Sequence, residues 1–581
     1  MPKKLFLFIL VPAVLLIAGY LFLRISLPQK IKTEEKSIGK IEAVDSLGGK
    51  KVSEADLRPL FLEHMQQLLK KSSNGLYELS VGDMKLDVLA STVSLQNVNV
   101  KTNKTAFNEL KKAGLLPKNI FDLSFESLLI DGVNLDDALT RKTMDYRLIK
   151  LVKPVIKVYR QQGGKEKAKP DEDFSKRFLQ DMTKLDIKHL VVEGGTIITH
   201  SPSGKPNRLN EVDIDMTDIL LDATTRTEKN RFLFAKAAVI NFSNYTTQTK
   251  DGLYTFKIGK GSIKAPQQVV SLQNISFASP LNREQFMKRQ KLAKELYNLS
   301  LSSVTLENVD WWTLFNGEEL TADLLHAKGG KLSIYFDRSL PLRSRMGNFP
   351  NQLLAKLDFK MNLAKFNMQN LDLSYTEFNP VSKQSGTVYM DNIVLNGTNI
   401  STVNQRPMVL NGTALFMHTV PISAGFTFNM KAPESGAFSA NISALNPFDA
   451  KLMNSFTVPL GMMKIESGNL QKLTASMKGD QYKTNGNVTV LYKDLKLDLL
   501  EKDKDKKALD KKDVTSFFAN LFVIKNDNPK GNKPPRQETA SFQRDPKGGY
   551  IMLVWKTILV GVLKTIGAPE KLAYKKQTPA Q

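Results

Sequence analysis

The sequence predicts a mainly β protein with a few helices, built partly from a repeated module. Three observations support this: apolar and polar residues alternate over many short stretches, turn-forming pairs separate the stretches, and one block recurs farther along the chain. A period of two places successive side chains on opposite faces of a strand. Each predicted strand therefore has one apolar face, which must be covered by another layer or by a ligand.

The clearest alternation lies in residues 357–363, and the pattern recurs in 426–431 and 495–499. Glycine-containing pairs that favour tight turns and hairpins separate such stretches. These pairs are Asn74-Gly75, Asp131-Gly132, Gly194-Gly195, Asp251-Gly252, Asn396-Gly397 and Asn411-Gly412.

Few segments have helical periodicity. Residues 53–71 begin with the potential cap Ser53, have Asp56 three positions later, and continue with apolar residues at helical spacing. Residues 173–184 and 282–297 predict two shorter helices.

Internal similarity indicates a duplication. At an offset of 177, Gly75-Leu76-Tyr77 recurs as Gly252-Leu253-Tyr254, Gly82 as Gly259, and Val93-Ser94-Leu95-Gln96-Asn97 as Val270-Ser271-Leu272-Gln273-Asn274. At an offset of 176, Leu123-Ser124 matches Leu299-Ser300, Val133 matches Val309, Leu148 matches Leu324, and Tyr159 matches Tyr335. The repeated unit spans 74–160 and 251–336, and a helical stretch (103–118 or 282–297) divides each copy. It is either simply a duplicated β module or part of an elongated body of stacked units.

The N-terminal segment predicts a membrane anchor. Leu5 to Leu23 has no charged residue and is about as long as a bilayer-spanning helix. No A-x-A cleavage pattern follows it, so we expect an uncleaved signal anchor over 1–24. Lys3 and Lys4 favour a cytoplasmic start with the bulk of the chain on the far side. The expected anchoring residues are Leu5, Phe6, Phe8, Leu15, Leu16 and Phe22.

Composition excludes several kinds of chemistry. The 581 residues include 82 Lys and Arg against 58 Asp and Glu, so the formal charge of +24 predicts an anionic partner. Lysines dominate, they are spread along the chain, and no nucleic-acid-binding motif occurs, which favours an anionic envelope surface over nucleic acid. The absence of cysteine excludes disulfides and thiolate chemistry. No phosphate-binding loop, nucleophile elbow or zinc motif occurs, so we expect no enzyme activity, no cofactor and no metal.

These patterns divide the chain into six segments. They are a transmembrane helix (1–24), a tether with an amphipathic helix (25–73), a first β repeat module (74–250), a second module (251–350), a C-terminal β region (351–546), and a C-terminal amphipathic helix with a tail (547–581). Within the β region, residues 501–513 contain nearly balanced charges and predict a solvated loop.

The apolar strand faces allow two interpretations. If the sheet curls without closing, its apolar face becomes a trough that suits acyl chains, whose burial contributes about 0.8 kcal/mol per CH₂. If a second sheet packs on it, the same residues form a sandwich core. The candidate lining residues are Leu357, Phe359, Met361, Leu363, Phe426, Phe428 and Met430.

The region 350–567 resembles the AsmA-like superfamily of inner-membrane-anchored bacterial envelope proteins. The resembling segments are Ile465-Glu466-Ser467-Gly468-Asn469-Leu470, Tyr492-Lys493-Asp494-Leu495, Phe517-Phe518-Ala519-Asn520-Leu521 through Asn526-Asp527-Asn528-Pro529, Phe542-Gln543-Arg544-Asp545-Pro546, Trp555-Lys556, and Tyr375-Thr376-Glu377-Phe378 with Gly386 and Asn399. The resemblance implies an elongated, curled, taco-like open β-groove of the bridge-like lipid-transfer type. It also implies an anchor in the inner membrane, a body in the periplasm, and a role in phospholipid transport and outer-membrane assembly.

The segment 550–566 predicts an apolar helix whose polar residues lie within about 180° of one another. We expect it to contact a membrane interface or to close the distal end of the groove; the alternative is a helix packed on the sheet. Its candidate residues are Trp555, Lys556, Leu559, Leu563 and Lys564.

Together these observations predict a non-enzymatic conduit that carries phospholipid between the inner and outer membranes. Its expected partners are phospholipid acyl chains and the inner membrane, with the outer membrane or one of its proteins as a further candidate. The alternative is a structural assembly factor that binds outer-membrane proteins or lipopolysaccharide.

Overall fold

The computed structural model of the protein describes residues 59–574, except 60–61, 64, 68, 71–72, 88, 118, 133–142, 162–182, 201–205, 226–227, 503–508 and 512–523. The predicted anchor (1–24) and the tether that follows it lie outside the described residues. Most of the predicted helix 173–184 and most of the charged loop 501–513 also lie outside them.

The described part of the chain is mainly β, as the alternation predicts. Its strands are β1 (Tyr77–Ser80), β2 (Asp83–Asp87), β3 (Thr92–Thr102), β4 (Asn119–Asp131), β5 (Thr143–Val152), β6 (Val155–Arg160), β7 (Lys184–His200), β8 (Asn207–Leu221), β9 (Ala237–Gln248), β10 (Thr255–Lys264), β11 (Val269–Ala278), β12 (Leu296–Glu307), β13 (Glu319–Asp337), β14 (Lys360–Asn379), β15 (Gln384–Ser401), β16 (Met408–Phe416), β17 (Val420–Phe428), β18 (Phe438–Ala444), β19 (Phe448–Asp449), β20 (Met463–Gly479), β21 (Lys483–Lys502), β22 (Leu509–Lys511) and β23 (Glu538–Gln543).

Helices are few and mostly short. They are α1 (Lys104–Lys112), α2 (Arg283–Lys288), α3 (Trp311–Gly317), α4 (Pro350–Ala355), α5 (Asn454–Phe456) and α6 (Tyr550–Ile566), with short helical turns at Pro433–Ser435, Ala450–Met453, Thr457–Gly461 and Glu570–Tyr574. The described residues between 59 and 70 are also helical, which agrees with the predicted helix 53–71.

Two predicted helix boundaries need correction. The stretch 282–297 forms only the short helix α2, because the capping box of Asn282 and Gln285 begins a helix that ends at Lys288. Leu296 then begins β12. In the other copy, the side chain of Asn103 caps α1, which ends at Lys112 rather than 118.

The described residues form two compact units, and β10 and β11 each have residues in both. The first unit comprises the described residues up to 252, together with 256–272 and 310–317. In it, β3 pairs with β1, β2 and β4, and β4 pairs with β5 and β6. Strands β5 and β6 pair in parallel with β7, and β8, β9 and β10 continue the ladder. One apolar row crosses six strands and is mostly buried; its members are Leu95, Leu128, Leu151, Val192, Ile214 and Ile240.

The second unit comprises residues 253–255, 273–309 and the described residues from 318 onward. Its ladder runs β12–β13–β14–β15–β16–β17–β18–β20–β21–β23. Strands β13 and β14 pair in parallel, whereas the other neighbours in this ladder are antiparallel. A parallel pair needs a crossover connection, and residues 338–359, which include α4, supply it.

Strand pairings recur at the offset of the predicted repeat and extend beyond it. Ile120 pairs with Tyr159 in the first copy, and Leu296 pairs with Tyr335 in the second, both at an offset of 176. The parallel pairs follow the same rule: Thr143 with Lys184 corresponds to Glu319 with Lys360. The repeated ladder therefore continues past 160 and 336 into the parallel strands β7 and β14.

Candidate functional site

The second unit has a sheet face that is apolar across neighbouring strands. On β14, this face presents Phe366, Met368, Leu371, Leu373 and Tyr375, with a bulge between Met368 and Leu371. Across β12, β13 and β14, five rows of register partners are entirely apolar or aromatic apart from one glycine. These rows are Leu306–Leu325–Phe366, Val304–Ala327–Met368, Leu301–Gly330–Leu371, Leu299–Leu332–Leu373 and Tyr297–Ile334–Tyr375.

The side chains in these rows are half-buried, except that of Ala327, which is buried. Strand β15 continues the face with Val388, Met390 and Leu395, which are half-buried as well. We call the apolar side chains of β12–β15 that belong to these rows the open apolar face. Along β14 it extends over nine residue steps, or about 25–30 Å.

The opposite face of the same sheet is polar. One row of register partners crosses ten strands, and its members are Thr305, His326, Asn367, Asn396, Asn411, Gly425, Asn441, Ser476, Asn487 and Thr539. An open depression of about 630 Å³ lies over part of this face, and its lining includes only uncharged residues. The depression is wide and shallow, so it does not enclose a ligand.

Helix α6 covers the apolar face at the other end of the ladder. It packs on β21 and β23, and the helix position Gly561 lies directly over Val488, where an added Cβ would come within 2.4 Å of the Val488 Cβ. The hydroxyls of Thr557 and Thr484 also pair at 2.8 Å. Beneath the helix, Val488, Val490 and Phe542 are buried. The helix ends at Gly567, whose φ of 81° suits a glycine.

The side of α6 that faces away from this core is apolar too. Ile551 is 67% exposed and Trp555 is 39% exposed. The Trp555 ring packs edge-on against Phe456, with centroids 5.8 Å apart, and Phe456 packs against Phe416 of β16. This chain of rings places the exposed side of α6 beside the apolar face of the sheet.

A charged cluster lies at the end of the apolar stripe on β14. Tyr375 donates a hydrogen bond of 2.7 Å to Glu377, the next residue on the same face, and Arg338 forms a 3.0 Å ion pair with Glu377. The register partner of Glu377 on β15 is Gly386, where the short segment Thr457–Gly461 packs closely. We call Tyr375, Glu377, Arg338 and Lys556 of α6 the terminal charged cluster.

Burial changes the ionisation of this cluster. Desolvation, reinforced by the nearby Glu377 carboxylate, raises the pKa of Tyr375, so its hydroxyl remains a donor at neutral pH. Desolvation and the neighbouring Arg338 lower the pKa of Lys556 to about 8, and Glu377 offsets part of this effect. Lys556 is therefore mostly charged at neutral pH, in a site where its charge is costly.

The predicted lining residues separate into two groups. Phe428 and Met430 are buried in the core beneath α6, and the Phe428 ring lies 5.4 Å from Tyr550, so both are core residues, covered by a helix rather than by the second sheet of a sandwich. Phe426 and Met361 are half-buried against the same core. Leu363 is buried as well.

Leu357 and Phe359 do not lie on a strand. The predicted strand 357–363 begins only at Lys360, because the preceding residues belong to the turn that follows α4, where the Leu357 amide bonds to the Leu354 carbonyl. Leu357 is exposed, and Phe359 is half-buried. The predicted strand 426–431 ends at Phe428.

The predicted residues of the C-terminal helix also differ in environment. Leu563 is buried against the sheet, and Lys564 donates a 2.7 Å hydrogen bond to the Thr539 carbonyl. Leu559 is half-buried, and Trp555 and Lys556 lie on or near the exposed side. The helix is thus packed on the sheet, as the alternative interpretation held. The side of the helix that faces solvent was predicted wrongly. Thr557 and Thr565, which belong to its predicted polar side, are fully buried, whereas the apolar Ile551 is exposed.

Sequence reasoning missed most residues of the open apolar face. Alternation was present in residues 371–377, Leu-Asp-Leu-Ser-Tyr-Thr-Glu, and in Leu332 and Ile334 of β13. Arg338 follows β13 directly and had no periodic signal of its own. The predicted anchor residues lie outside the described part of the chain.

Among the described residues, no helix has both the length and the apolarity needed to cross a bilayer. The same part of the chain contains no group of three or more His, Asp or Glu side chains placed to hold a metal ion. Comparison with known proteins gave no match to any family model and none to any curated protein.

Proposed function

We propose that the protein binds lipid acyl chains along the open apolar face and acts as a non-enzymatic lipid carrier of the AsmA-like type. In this proposal, the segment 1–24 anchors the chain in a bacterial inner membrane, and the β body lies in the periplasm. The face forms the wall of an open groove along which phospholipid passes toward the outer membrane.

The half-burial of the aligned apolar rows is the observation that carries this proposal. A sheet face normally has another layer packed on it, and its side chains then become almost inaccessible. Here Leu332 and Leu373 keep part of their surface accessible in the middle of an apolar row. Covering that surface with an acyl chain would contribute about 0.8 kcal/mol per buried CH₂.

The length of the face supports the same occupant. Its 25–30 Å extent along β14 exceeds the roughly 15 Å that one leaflet contributes to a bilayer core of about 30 Å. One extended acyl chain therefore fits along a single strand within the open apolar face.

The test is lipid quantification on the full chain purified in a mild detergent. We expect mass spectrometry to find phospholipid that co-purifies with the wild-type protein. The double variant Leu332→Gln/Leu373→Gln alters two register partners in the open apolar face and should lower the affinity for lipid about tenfold.

A matched control lies one residue away on each strand. Ser333 and Ser374 are also register partners, but they lie on the polar face. The variant Ser333→Gln/Ser374→Gln should retain wild-type lipid. Wild-type protein without lipid, or equal loss in both double variants, would overturn the proposal.

A further inference from the structure

The terminal charged cluster lies where the apolar side chains of β14 end. Phe366, Met368, Leu371 and Leu373 are followed on the same face by the Tyr375 hydroxyl and the Glu377 carboxylate. An amphiphile lying along this strand would therefore meet polar groups at this end. That arrangement matches a molecule with an apolar chain and a single polar head.

The cluster has more positive than negative charge. Glu377 is the one carboxylate of the set, and its ion pair is with Arg338 at 3.0 Å. Lys556 adds a second cation, which interacts electrostatically with both Arg338 and Glu377. The adjacent Arg345 does not alter this balance, because it is paired with Glu295.

Among the described residues, the Lys556 ammonium has no hydrogen-bond or ion-pair partner. Lys564, two turns later on the same helix, donates to the Thr539 carbonyl at 2.7 Å and lies 3.8 Å from Glu570. Half-buried ammonium groups without a partner are costly, and an anion would relieve that cost. The neighbours of Lys556 on α6 do not supply one, because Met552 and Leu559 are apolar.

We propose that Lys556 and Arg338 bind the phosphate of an anionic phospholipid whose acyl chain lies on the open apolar face. This assignment rests on the proposed function and specifies its ligand. A lipid with one net negative charge neutralises the surplus of the cluster, whereas a zwitterionic lipid with the same chains does not. The Tyr375 hydroxyl is already donated to Glu377, so the two cations provide the recognition.

The test compares two lipids that have the same chains and the same phosphate but different headgroup alcohols, uncharged glycerol or cationic choline. The full chain in non-ionic detergent is equilibrated with equal amounts of phosphatidylglycerol and phosphatidylcholine carrying identical chains, and the bound lipids are measured by mass spectrometry. Both lipids offer the phosphate, but the choline cation of phosphatidylcholine is repelled by Lys556 and Arg338, so we expect the wild type to prefer phosphatidylglycerol about tenfold or more.

Four variants locate the preference. Lys556→Met should reduce it to about twofold or less, because one charge-assisted contact is removed. Lys556→Arg keeps the charge and should retain the preference. Lys564→Met makes the same change in charge and side chain on the same helix and should also retain it. Arg338→Met provides a second variant of the site, and it should lower the preference as well.

The outcomes separate this proposal from the one it rests on. A wild type that binds both lipids equally, or a Lys556→Met variant that keeps the preference, overturns the headgroup site and leaves acyl-chain binding intact. A wild type that binds neither lipid overturns the proposed function itself.

Discussion

The two copies of the duplicated ladder have the same strand register but different burial. In the first copy, Ile156 of β6 pairs with Ile197 of β7, and both are buried. The corresponding pair in the second copy is Leu332 with Leu373, and both are half-buried. The same backbone pairing thus supports a closed core in one place and an accessible apolar face in another.

The next pair along the strands repeats the difference. Val158 and Thr199 are buried in the first copy, whereas Ile334 and Tyr375 are half-buried in the second. The second copy carries the larger side chains at these positions, so the accessibility does not come from smaller residues. Duplication therefore preserved the ladder while the layer over it changed.

The largest expected effect tests this contrast directly. Ile197→Asp places a carboxylate in a closed core and should lower the free energy of unfolding by about 3–5 kcal/mol. Leu373→Asp at the equivalent position should cost about 1 kcal/mol, because its carboxylate can reach water. Urea unfolding of the full chain in non-ionic detergent, followed by pulse proteolysis, measures both. Equal losses would mean that the second copy is covered as fully as the first.

A second substitution tests the contact between α6 and β21, where the helix covers the far end of the ladder in the second unit. Gly561→Val would force the helix away from Val488, since even one added carbon meets it at 2.4 Å. We expect a loss of about 3 kcal/mol from overpacking, together with faster proteolysis of α6. Gly531→Val is the control, because nothing lies within 4 Å of an added Cβ there, although its φ of 57° adds some backbone strain. A stable Gly561→Val protein with an unchanged protease pattern would contradict the close packing.

The terminal charged cluster predicts a pH dependence. In the folded state, burial and Arg338 hold the pKa of Lys556 at about 8, below its usual value of 10.5. The unfolded chain therefore binds more protons between about pH 8 and pH 10.5, and stability should rise with pH across that window.

Lys556→Met removes this cost and should stabilise the lipid-free protein by about 1–3 kcal/mol at pH 7. The gain should shrink toward zero near pH 10. Urea titrations at pH 7 and pH 10 measure it, with Lys564→Met as the control. A gain that is the same at both pH values would show that Lys556 ionises as it does in water.

The smallest expected effect concerns helix capping, and here the two copies should lose the same amount of stability. Asn103 and Asn282 each accept a hydrogen bond from a first-turn amide, that of Ala106 and that of Gln285. Replacing either by Ala should cost about 1 kcal/mol. Thermal unfolding monitored by circular dichroism compares the two variants. A difference of more than about 1 kcal/mol between them would show that helix capping, and not only coverage, diverged between the copies.

The β class, the duplication and the helix α1 could be predicted because they rest on local patterns. Alternation specifies a strand face, and Asn103 specifies a helix start. The location of the open apolar face could not be predicted, since Phe428 and Leu373 both occur in alternating segments. Only the position of α6 decides that Phe428 is in the core.

The orientation of α6 could not be predicted from the local sequence pattern either. Thr557 is polar in sequence, yet it is fully buried because the hydroxyl of Thr484 satisfies it across the interface. Conversely, Ile551 is exposed although it is apolar. The residues that decide whether such a side chain is buried lie about 70 residues away in the chain. They carry no periodic signal in the sequence.

In the order of the chain, helix α6 comes after every strand that it covers. During synthesis, β20, β21 and β23 are therefore complete before Tyr550–Ile566 has left the ribosome, and Val488, Val490 and Phe542 have no cover until then. Such a delay exposes apolar surface to other nascent chains and favours aggregation. The order of the chain therefore leaves the core of this unit incomplete until its last helix has been synthesised.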